Sequence, residues 1–517
     1  MKDYSIAPDN KKYALPTEDD TKQEINKIKK ICIDQRKNGK KIVVVQGLGF
    51  VGAVMGAIIA DAETNNKTKY FVIGIDLPTQ DSFWKIPTIN NGKSPFKAKD
   101  SDVDDIFQRT IIQKNNYIAP WVSEAFAEAD IIVVDINLDV VKTTLGHAEE
   151  ASVSIESFKK AMETIGNNMR KNALIVIETT IPPGTVENIV KPTILRCFEK
   201  RGINVEEHQP LLAHSYERVM PGEHYIDSIK RMQRTFSAVN KQACEEVQIF
   251  LNDIIETDEF PLWKLDCPSA SEMAKVMENS YRAMNIALIY EWTLFAEDIG
   301  VNLFDIVDSI KVRKGTHDNM MYPGFGVGGY CLTKDPLLAE WGSKTIFKRR
   351  EKLTFSVDSV DVNDLMPHHT FELLKKGMKN NIKNKKIVIL GASYRKNIDD
   401  TRNSPTIILF DDILKYGGKP VVHDPFAISM IDREDISIST DIDKSLENAN
   451  AVVFVVDHDD YLNISVEKII EKVKLGGCIV DAFNILSDEK VNLLIDRGYV
   501  VLGVGKGHIN KRFGDIL

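Results

Sequence analysis

Ten short runs of apolar, β-branched residues, in two groups of five, constrain this chain more than any other feature. The first group is KIVVVQ (41–46), YFVIGID (70–76), ADIIVVDI (129–136), NALIVIETT (172–180) and PLLAHSY (210–216). The second is KKIVILGA (385–392), KPVVHDP (419–425), NAVVFVVD (450–457), GGCIVDA (476–482) and YVVLGVG (499–505). Most of these runs are apolar without alternation, as in strands covered on both faces, and helical periods lie between them. That pattern specifies an α/β protein with parallel sheets. A chain of 517 residues is too long for one core. The reading is two Rossmann-like parallel-sheet domains joined by a long central helix. The helix is placed at 268–300, which has no internal Gly or Pro. Ser269 with Glu272 reads as a capping box at its start, and Gly300 as its C-terminal cap. The segment is apolar on more than one face, so it is expected to be a central spine or a dimer element. The expected layout is an N-terminal extension (1–40), a first Rossmann-like domain (41–265), a central helical and dimerisation segment (266–380) and a C-terminal Rossmann-like domain (381–517).

Composition narrows the function. Hydrophobic residues at 43% and charged ones at 27% are those of a globular protein. The net charge of −9, with no basic block, argues against nucleic acid as a partner. No apolar run approaches the ~18 residues of a membrane span, and the N-terminus has no apolar signal core. The six cysteines are scattered with no CxxC pair, so neither a metal site nor a disulfide framework is expected, and a reducing cytoplasm fits. Residues 1–40 are polar. A helix over 18–38 through Ile25, Ile28 and Ile31 is expected there, as part of a surface appendage.

The run KIVVVQ leads into GLGFVG, a GxGxxG at Gly47, Gly49 and Gly52 that follows a strand and opens a helix. Gly47 permits the tight turn, Gly49 lets a pyrophosphate approach, and Gly52 lets helix and strand pack. The next strand ends in Asp76, 24 residues after Gly52, where a carboxylate accepts ribose hydroxyls and repels a 2′-phosphate. NAD is therefore the expected cofactor, with Lys85 a cation that bears on the choice over NADP. In the second half, Gly391 has Ser393 where a second glycine would stand, so a second dinucleotide site is not expected.

The stretch GFGVGGYCLTKDP (324–336) puts four glycines in six positions, then Cys331, then Lys334 and Asp335. A buried structural cysteine is the usual case. Here the glycines free backbone N–H groups that can cradle phosphates, and Lys334 places a cation close to the thiol, which favours thiolate. Cys331 therefore reads as a nucleophile.

Taken in order, GLGFVG, ETTIPPGT (178–185), ERVMPG (217–222), KVMENSYRAMN (275–285), the Cys331 loop and DDTRNSP (399–405) resemble the UDP-glucose/GDP-mannose dehydrogenases, or nucleotide-sugar 6-dehydrogenases. The resemblance covers nearly all of residues 41–505. It implies oxidation of the C6 alcohol of a nucleotide sugar to a carboxylate with two NAD per turnover, through a cysteine thiohemiacetal and thioester. It further implies these roles. Lys275 and Asn279, one turn apart on a helix, stabilise the oxyanion. Thr180 positions a catalytic water, Glu217 governs thioester hydrolysis, and Asp335 orients water or accepts a proton. Gly47, Gly49, Phe50, Val51, Gly52, Asp76, Thr180 and Arg402 are the implied cofactor residues. Glu217, Arg218, Lys275, Gly324, Phe325, Gly328, Gly329, Lys334 and Arg395 are the implied substrate residues. A role in surface polysaccharide precursor synthesis also follows from the resemblance, and a homodimer is expected from the apolar helix at 268–300.

The chain departs from the family pattern in places. Asp135-Ile136-Asn137-Leu138 stands where a VPTP-like turn is usual, and Tyr394-Arg395-Lys396 where a Phe-Lys-Pro turn is usual, so Arg395 takes the place of that lysine. ERVMPG, with Pro221 where the glucose branch has a second glutamate, looks like the UDP-N-acetylhexosamine branch, whereas GGYCLTKD looks closer to UDP-glucose dehydrogenase. The acetamido sugar is favoured. Two other classes stay open on the residues alone: a two-electron β-hydroxyacid-type dehydrogenase, and a non-catalytic nucleotide-binding protein. The first has no use for Cys331 or for residues 385–505, and the second has no use for Lys275, Asn279, Cys331 and Asp335 together.

Overall fold

The computed structural model describes residues 3–64, 67–96, 100–219, 222 and 224–513. The chain opens with an antiparallel hairpin, β1 (Tyr4–Ile6) and β2 (Lys12–Ala14), and a helix, α1 (Glu18–Lys37). Thr17 caps α1 through a reciprocal bond with Asp20, and the acidic first turn and basic last turn complement the helix dipole. The extension is not the surface appendage that its polarity suggested. Ser5 and Cys32 are fully buried, and Arg36 reaches Glu128 (2.8 Å) and Asp130 (3.4 Å).

The main sheet of the first half is built on β3 (Lys41–Gln46), whose Ile42 to Val45 are completely buried. On one side lie β4 (Tyr70–Ile75) and β5 (Tyr117–Ile118). On the other lie β6 (Ile131–Val134), β7 (Leu174–Ile177), β8 (Leu211–His214), β9 (Thr235–Ala238) and β10 (Trp263–Lys264). The order is β5-β4-β3-β6-β7-β8-β9-β10, parallel except at β8–β9. Its first six strands follow the 3-2-1-4-5-6 order of dinucleotide-binding sheets, in which ligands bind at the carboxyl ends of the strands. Each wholly buried Val or Ile of these strands contributes on the order of 1.5–3 kcal/mol.

Helix α2 (Phe50–Asp61) follows β3, α3 (Lys241–Ile254) follows β9, and the long helix α4 runs Pro268–Asp298, so its first turn begins one residue before Ser269. Ser269 and Glu272 therefore do not form a capping box. The Ser269 hydroxyl donates to Glu187, and Glu272 accepts the N–H groups of Gly184 (2.5 Å) and Val186 (2.8 Å). Gly300 does end the helix: it sits at φ +71°, and the N–H of Val301 reaches back to the Ala296 carbonyl (2.9 Å). Short α5 (Asp335–Trp341) and long α6 (Thr354–Gly377) follow.

The second sheet has six parallel strands: β11 (Lys386–Leu390), β12 (Lys419–His423), β13 (Ile438–Ser439), β14 (Ala449–Phe454), β15 (Val473–Asp481) and β16 (Val500–Gly503). Their order, β13-β12-β11-β14-β15-β16, is again 3-2-1-4-5-6. All ten expected runs are strands. The chain divides into two compact units, one of residues 1–139, 153–276 and 341–350, the other of 140–152, 277–340 and 351–517.

Candidate active site

In the first unit, the turn between β3 and the helix α2 (Phe50–Asp61) is shaped by its glycines. Gly47 lies at φ +98°, and a Cβ there would stand 2.3 Å from the Asp135 carbonyl. A Cβ on Gly52 would stand 2.0 Å from the Gly47 carbonyl, whereas one on Gly49 would meet nothing within 4 Å. The first turn of α2, which holds Phe50 and Val51, has no side-chain cap. An open approach to an uncapped helix start suits a pyrophosphate, so these residues fit a dinucleotide. Phe50 stacks on Phe96 (4.5 Å between ring centres). Asp76 follows β4, half-buried, with one carboxylate oxygen on the Leu77 N–H (2.8 Å) and the other on Lys85 Nζ (2.9 Å). Lys85 thus touches the carboxylate assigned to the ribose.

At the carboxyl ends of β6 and β7 and the amino end of the antiparallel β9 lies a charged cluster that the sequence reading missed. Glu178 is fully buried and pairs with Arg234, itself 3% exposed, at 3.5 Å. Among the described residues, neither carboxylate oxygen of Glu178, neither terminal nitrogen of Arg234, nor Asp135 Oδ2 has a hydrogen-bond partner. Burial, then the charges of Glu178 and Glu217, hold the Asp135 carboxyl well above the usual range, against the pull of Arg234. Asp135 occupies the first position of the departure from the VPTP-like turn, and its carboxyl lies beside Gly52. The available signal was Glu178 itself, a carboxylate directly after LIVI.

Lys275, buried on α4, donates to the Glu217 carbonyl (3.0 Å) and stands 3.9 Å from the Glu217 carboxylate. Arg218 is fixed by the Gln233 carbonyl (3.1 Å) and the Tyr216 hydroxyl (3.4 Å). Thr180 is half-buried in the loop after β7, and Glu272 holds that loop further on through Gly184 and Val186. His214 is pushed down to about 3 by burial and stays neutral, which removes it as a candidate base. Pro221 lies outside the described residues.

In the second unit, Cys331 is the exposed cysteine of the six. Its carbonyl accepts the N–H groups of Lys334 (3.2 Å) and Asp335 (2.9 Å), the turn that starts α5. Asp335 is fully buried, with Asn279 Nδ2 on one oxygen (2.5 Å) and Lys334 Nζ 3.4 Å from the other. Lys334 lies over the Tyr330 ring (4.5 Å), and Arg402, bound to Asp400, lies 5.7 Å from the same ring. Arg402 lies within electrostatic range of Cys331, so two cations flank the thiol loop.

The glycines before Cys331 serve close packing. A Cβ on Gly328 would stand 2.5 Å from Tyr394 Cβ, and one on Gly329 (φ +79°) 2.8 Å from the Tyr394 ring. The Gly329 N–H donates to the Arg402 carbonyl (2.9 Å), and its own carbonyl accepts from Asn403 (3.0 Å). One amide of the loop is thus taken within the chain itself. The Phe325 ring is in the core at 1% exposure, so any contact it makes with substrate is through its backbone. A Cβ on Gly324 would stand 3.6 Å from the Phe483 ring, and Arg395 is exposed after β11. Beside it, the Asp424 carboxylate accepts the N–H groups of Ala392 (2.7 Å) and Ser393 (3.0 Å), and His458 (3.1 Å). The amides that a dinucleotide phosphate would use in this domain are taken.

Three family models match along the chain: the NAD binding domain of the UDP-glucose/GDP-mannose dehydrogenase family at 40–252, its central domain at 269–361 and its UDP binding domain at 388–488. The chain is 28% identical over 478 residues to UDP-N-acetyl-D-mannosamine dehydrogenase of Methanocaldococcus jannaschii, covering 92% of this chain and 99% of that protein. Its fold is similar to the crystal structure of NDP-N-acetyl-D-galactosaminuronic acid dehydrogenase from Methanosarcina mazei (TM-score 0.76, 24% identity, 94% and 98% of the two chains). It is similar as well to a UDP-glucose dehydrogenase from Pyrobaculum islandicum (TM-score 0.74, 19% identity, 90% and 98%). With an NAD turn of the required shape and all three domain models in order, the chain belongs to the UDP-glucose/GDP-mannose dehydrogenase family of NAD-dependent nucleotide-sugar dehydrogenases.

Proposed function

We propose that this chain oxidises the C6 alcohol of a UDP-N-acetylhexosamine to the carboxylate and carries the sugar on Cys331 between the two oxidations. The observation that carries the reading is the Cys331 turn, where an exposed thiol precedes two charged residues, Lys334 and Asp335, that are themselves buried. Burying charge is costly unless it is used or paired. Overall, alcohol, water and two NAD⁺ give carboxylate, two NADH and three protons. Bound NAD supplies the hydride acceptor for each oxidation.

The chain's own residues then have distinct tasks. Asp335, fixed by Asn279, accepts a proton released at the sugar hydroxyl. The Cys331 thiolate bonds to the aldehyde carbon, and the Lys275 ammonium and the Asn279 amide donate to the oxygen that becomes negative. After the second oxidation the carbon is held as a thioester. Thr180 and Glu217 orient the water that attacks it, the C–S bond breaks, and the thiolate leaves with the electron pair. Glu217 also holds Lys275 through its carbonyl.

The choice of sugar is supported by ERVMPG and by the names of the curated relatives. GGYCLTKD favours UDP-glucose as the second reading. A homodimer is part of the proposal: Met277, Tyr281, Leu288, Trp292 and Phe295 form one stripe along α4, each between 45% and 63% exposed, which is the pattern of a helix seam awaiting a partner. A cytoplasmic location and supply of a surface polysaccharide precursor complete it. Among the described residues no helix is long and apolar enough to cross a membrane.

The test counts NADH per sugar over a panel of UDP- and GDP-sugars, with Cys331→Ser and Cys331→Ala beside the parent. Two NADH per sugar is expected for the parent. Cys331→Ser should stop after about two NADH per active site, with the sugar held as an ester visible by intact mass, and Cys331→Ala should stop at about one NADH per sugar with no adduct. Both should lose on the order of a thousandfold in steady-state rate. Near-parental turnover by Cys331→Ala would refute the covalent step, and faster turnover of UDP-glucose than of every acetamido sugar would reverse the substrate ranking alone.

A further inference from the structure

The N-terminal hairpin lies ahead of the family's NAD-binding domain, yet it grips the loop that follows the ribose carboxylate. Ser5 is fully buried. Its hydroxyl donates to the Gln80 carbonyl (2.7 Å) and accepts the Trp84 N–H (3.0 Å), so one side chain pins two points of the 76–85 loop. The next residue, Lys85, places its ammonium 2.9 Å from Asp76 Oδ2. A second strut comes from α1, where Thr21 accepts the Trp121 indole N–H (3.2 Å) and Trp121 meets Phe83 edge-on (5.6 Å).

A hairpin of three-residue strands is marginal by itself, so its order comes from docking on this loop and the sheet beneath it. The benefit falls on the loop. Asp76 has one oxygen on Leu77 and one on Lys85, which fixes the plane of the carboxylate and leaves each oxygen a lone pair for a hydroxyl. Ordering such a group before binding removes an entropic cost from the binding step. We propose that Ser5 is a positioning residue for NAD: by bracing the 76–85 loop it holds Lys85 against Asp76, and so aims the carboxylate that takes the ribose hydroxyls. This rests on the assignment of Asp76 to the ribose.

The experiment uses the full chain with Ser5→Ala, a chain lacking residues 1–15, Asp76→Ala, and the Asp76→Ala/Ser5→Ala double variant. NAD affinity is read by calorimetry, loop order by hydrogen exchange over 77–85, and KM is measured separately for NAD and for the nucleotide sugar. Ser5→Ala should raise the Kd for NAD about fivefold, the worth of one buried hydrogen-bonding group. It should speed exchange in the loop and leave the sugar KM in place. The deletion should do more of the same, and if it fails to fold Ser5→Ala decides. In the Asp76→Ala background the Ser5 effect on affinity should vanish. A Ser5→Ala enzyme with a lower melting temperature but a Kd for NAD within about twofold of the parent overturns the proposal, because the brace is then only structural. If Asp76→Ala leaves NAD affinity unchanged, the ribose assignment itself is wrong and the proposal falls with it.

Discussion

Replacing Arg234 by methionine keeps the length of the side chain and removes the cation that Glu178 faces at 3.5 Å. At an effective dielectric of about 20 that separation corresponds to about 5 kcal/mol, and breaking one side of a buried pair costs about 3–5 kcal/mol. The Glu178 carboxyl is already pushed up to about 7, by burial first and by Glu217, with Arg234 opposing. A carboxyl whose folded value lies above its ordinary value near 4.5 contributes stability fully below that value and loses it as pH rises through about 7. Removing Arg234 should raise the folded value further. Because the carboxyl can keep its proton instead, the loss in Arg234→Met is expected to be small near pH 5 and to grow by about 1.4 kcal/mol for each pH unit above about 7, reaching about 1–1.5 kcal/mol near pH 8. Urea denaturation of the full chain at both pH values measures it, with hydrogen exchange over 174–180 locating it. Glu178→Gln in the same background should recover most of the loss, since no buried charge is then left alone. A cost that is the same at pH 5 and pH 8 would refute the reasoning.

Three further outcomes are expected. Gly328→Ala places a Cβ 2.5 Å from Tyr394 Cβ and 2.9 Å from the Asn403 carbonyl, so it should cost about 1–3 kcal/mol and lower kcat; denaturation midpoints and steady-state rates check both. Asp76→Ala should weaken NAD about tenfold while leaving NADP nearly unchanged, as compared by Kd for the two cofactors. Trp292→Arg, at a position 53% exposed on α4, should turn a dimer into a monomer at micromolar concentration by light scattering without loss of the fold.

The fold was legible because its evidence is local. Ten of the strands declared themselves by an apolar run, and the GxGxxG turn by three glycines whose reasons are all visible in the structure: a positive φ at Gly47, open space at Gly49, a close carbonyl at Gly52. The site was legible where the chemistry sits within one motif, as at Cys331, Lys334 and Asp335. It was less so where partners come from distant positions. Arg234 and Glu178 are 56 residues apart in sequence, and nothing in RTFSAVN announces a buried cation. Glu272 misled for the same reason: its spacing from Ser269 fits a cap, but the start of α4 at Pro268 and the amides of Gly184 and Val186 decide where the carboxylate goes. The extension misled because its composition is polar, and composition does not show that one hydroxyl, on Ser5, is placed to satisfy a carbonyl and an amide of a loop far along the chain.

The two sheets share one strand order but not one ligand capacity, and the difference comes down to what occupies the first turn. After β3 the turn leaves Gly49 bare before an uncapped helix. After β11 the amides of Ala392 and Ser393 close on the Asp424 carboxylate. Burial works against that charge. It is overcome by the hydrogen bond and charge of His458 and by the amides of Ala427 and Ser393, which hold the carboxyl down at about 2. A permanent internal anion thus sits where a phosphate would, and a dinucleotide would have to displace a fully buried, multiply bonded carboxylate to enter. A nucleotide held at this domain must take its phosphate contacts from groups other than the amides of the turn itself. Topology therefore sets where a ligand can bind, and one acidic side chain after the second strand decides whether the turn is free to bind it.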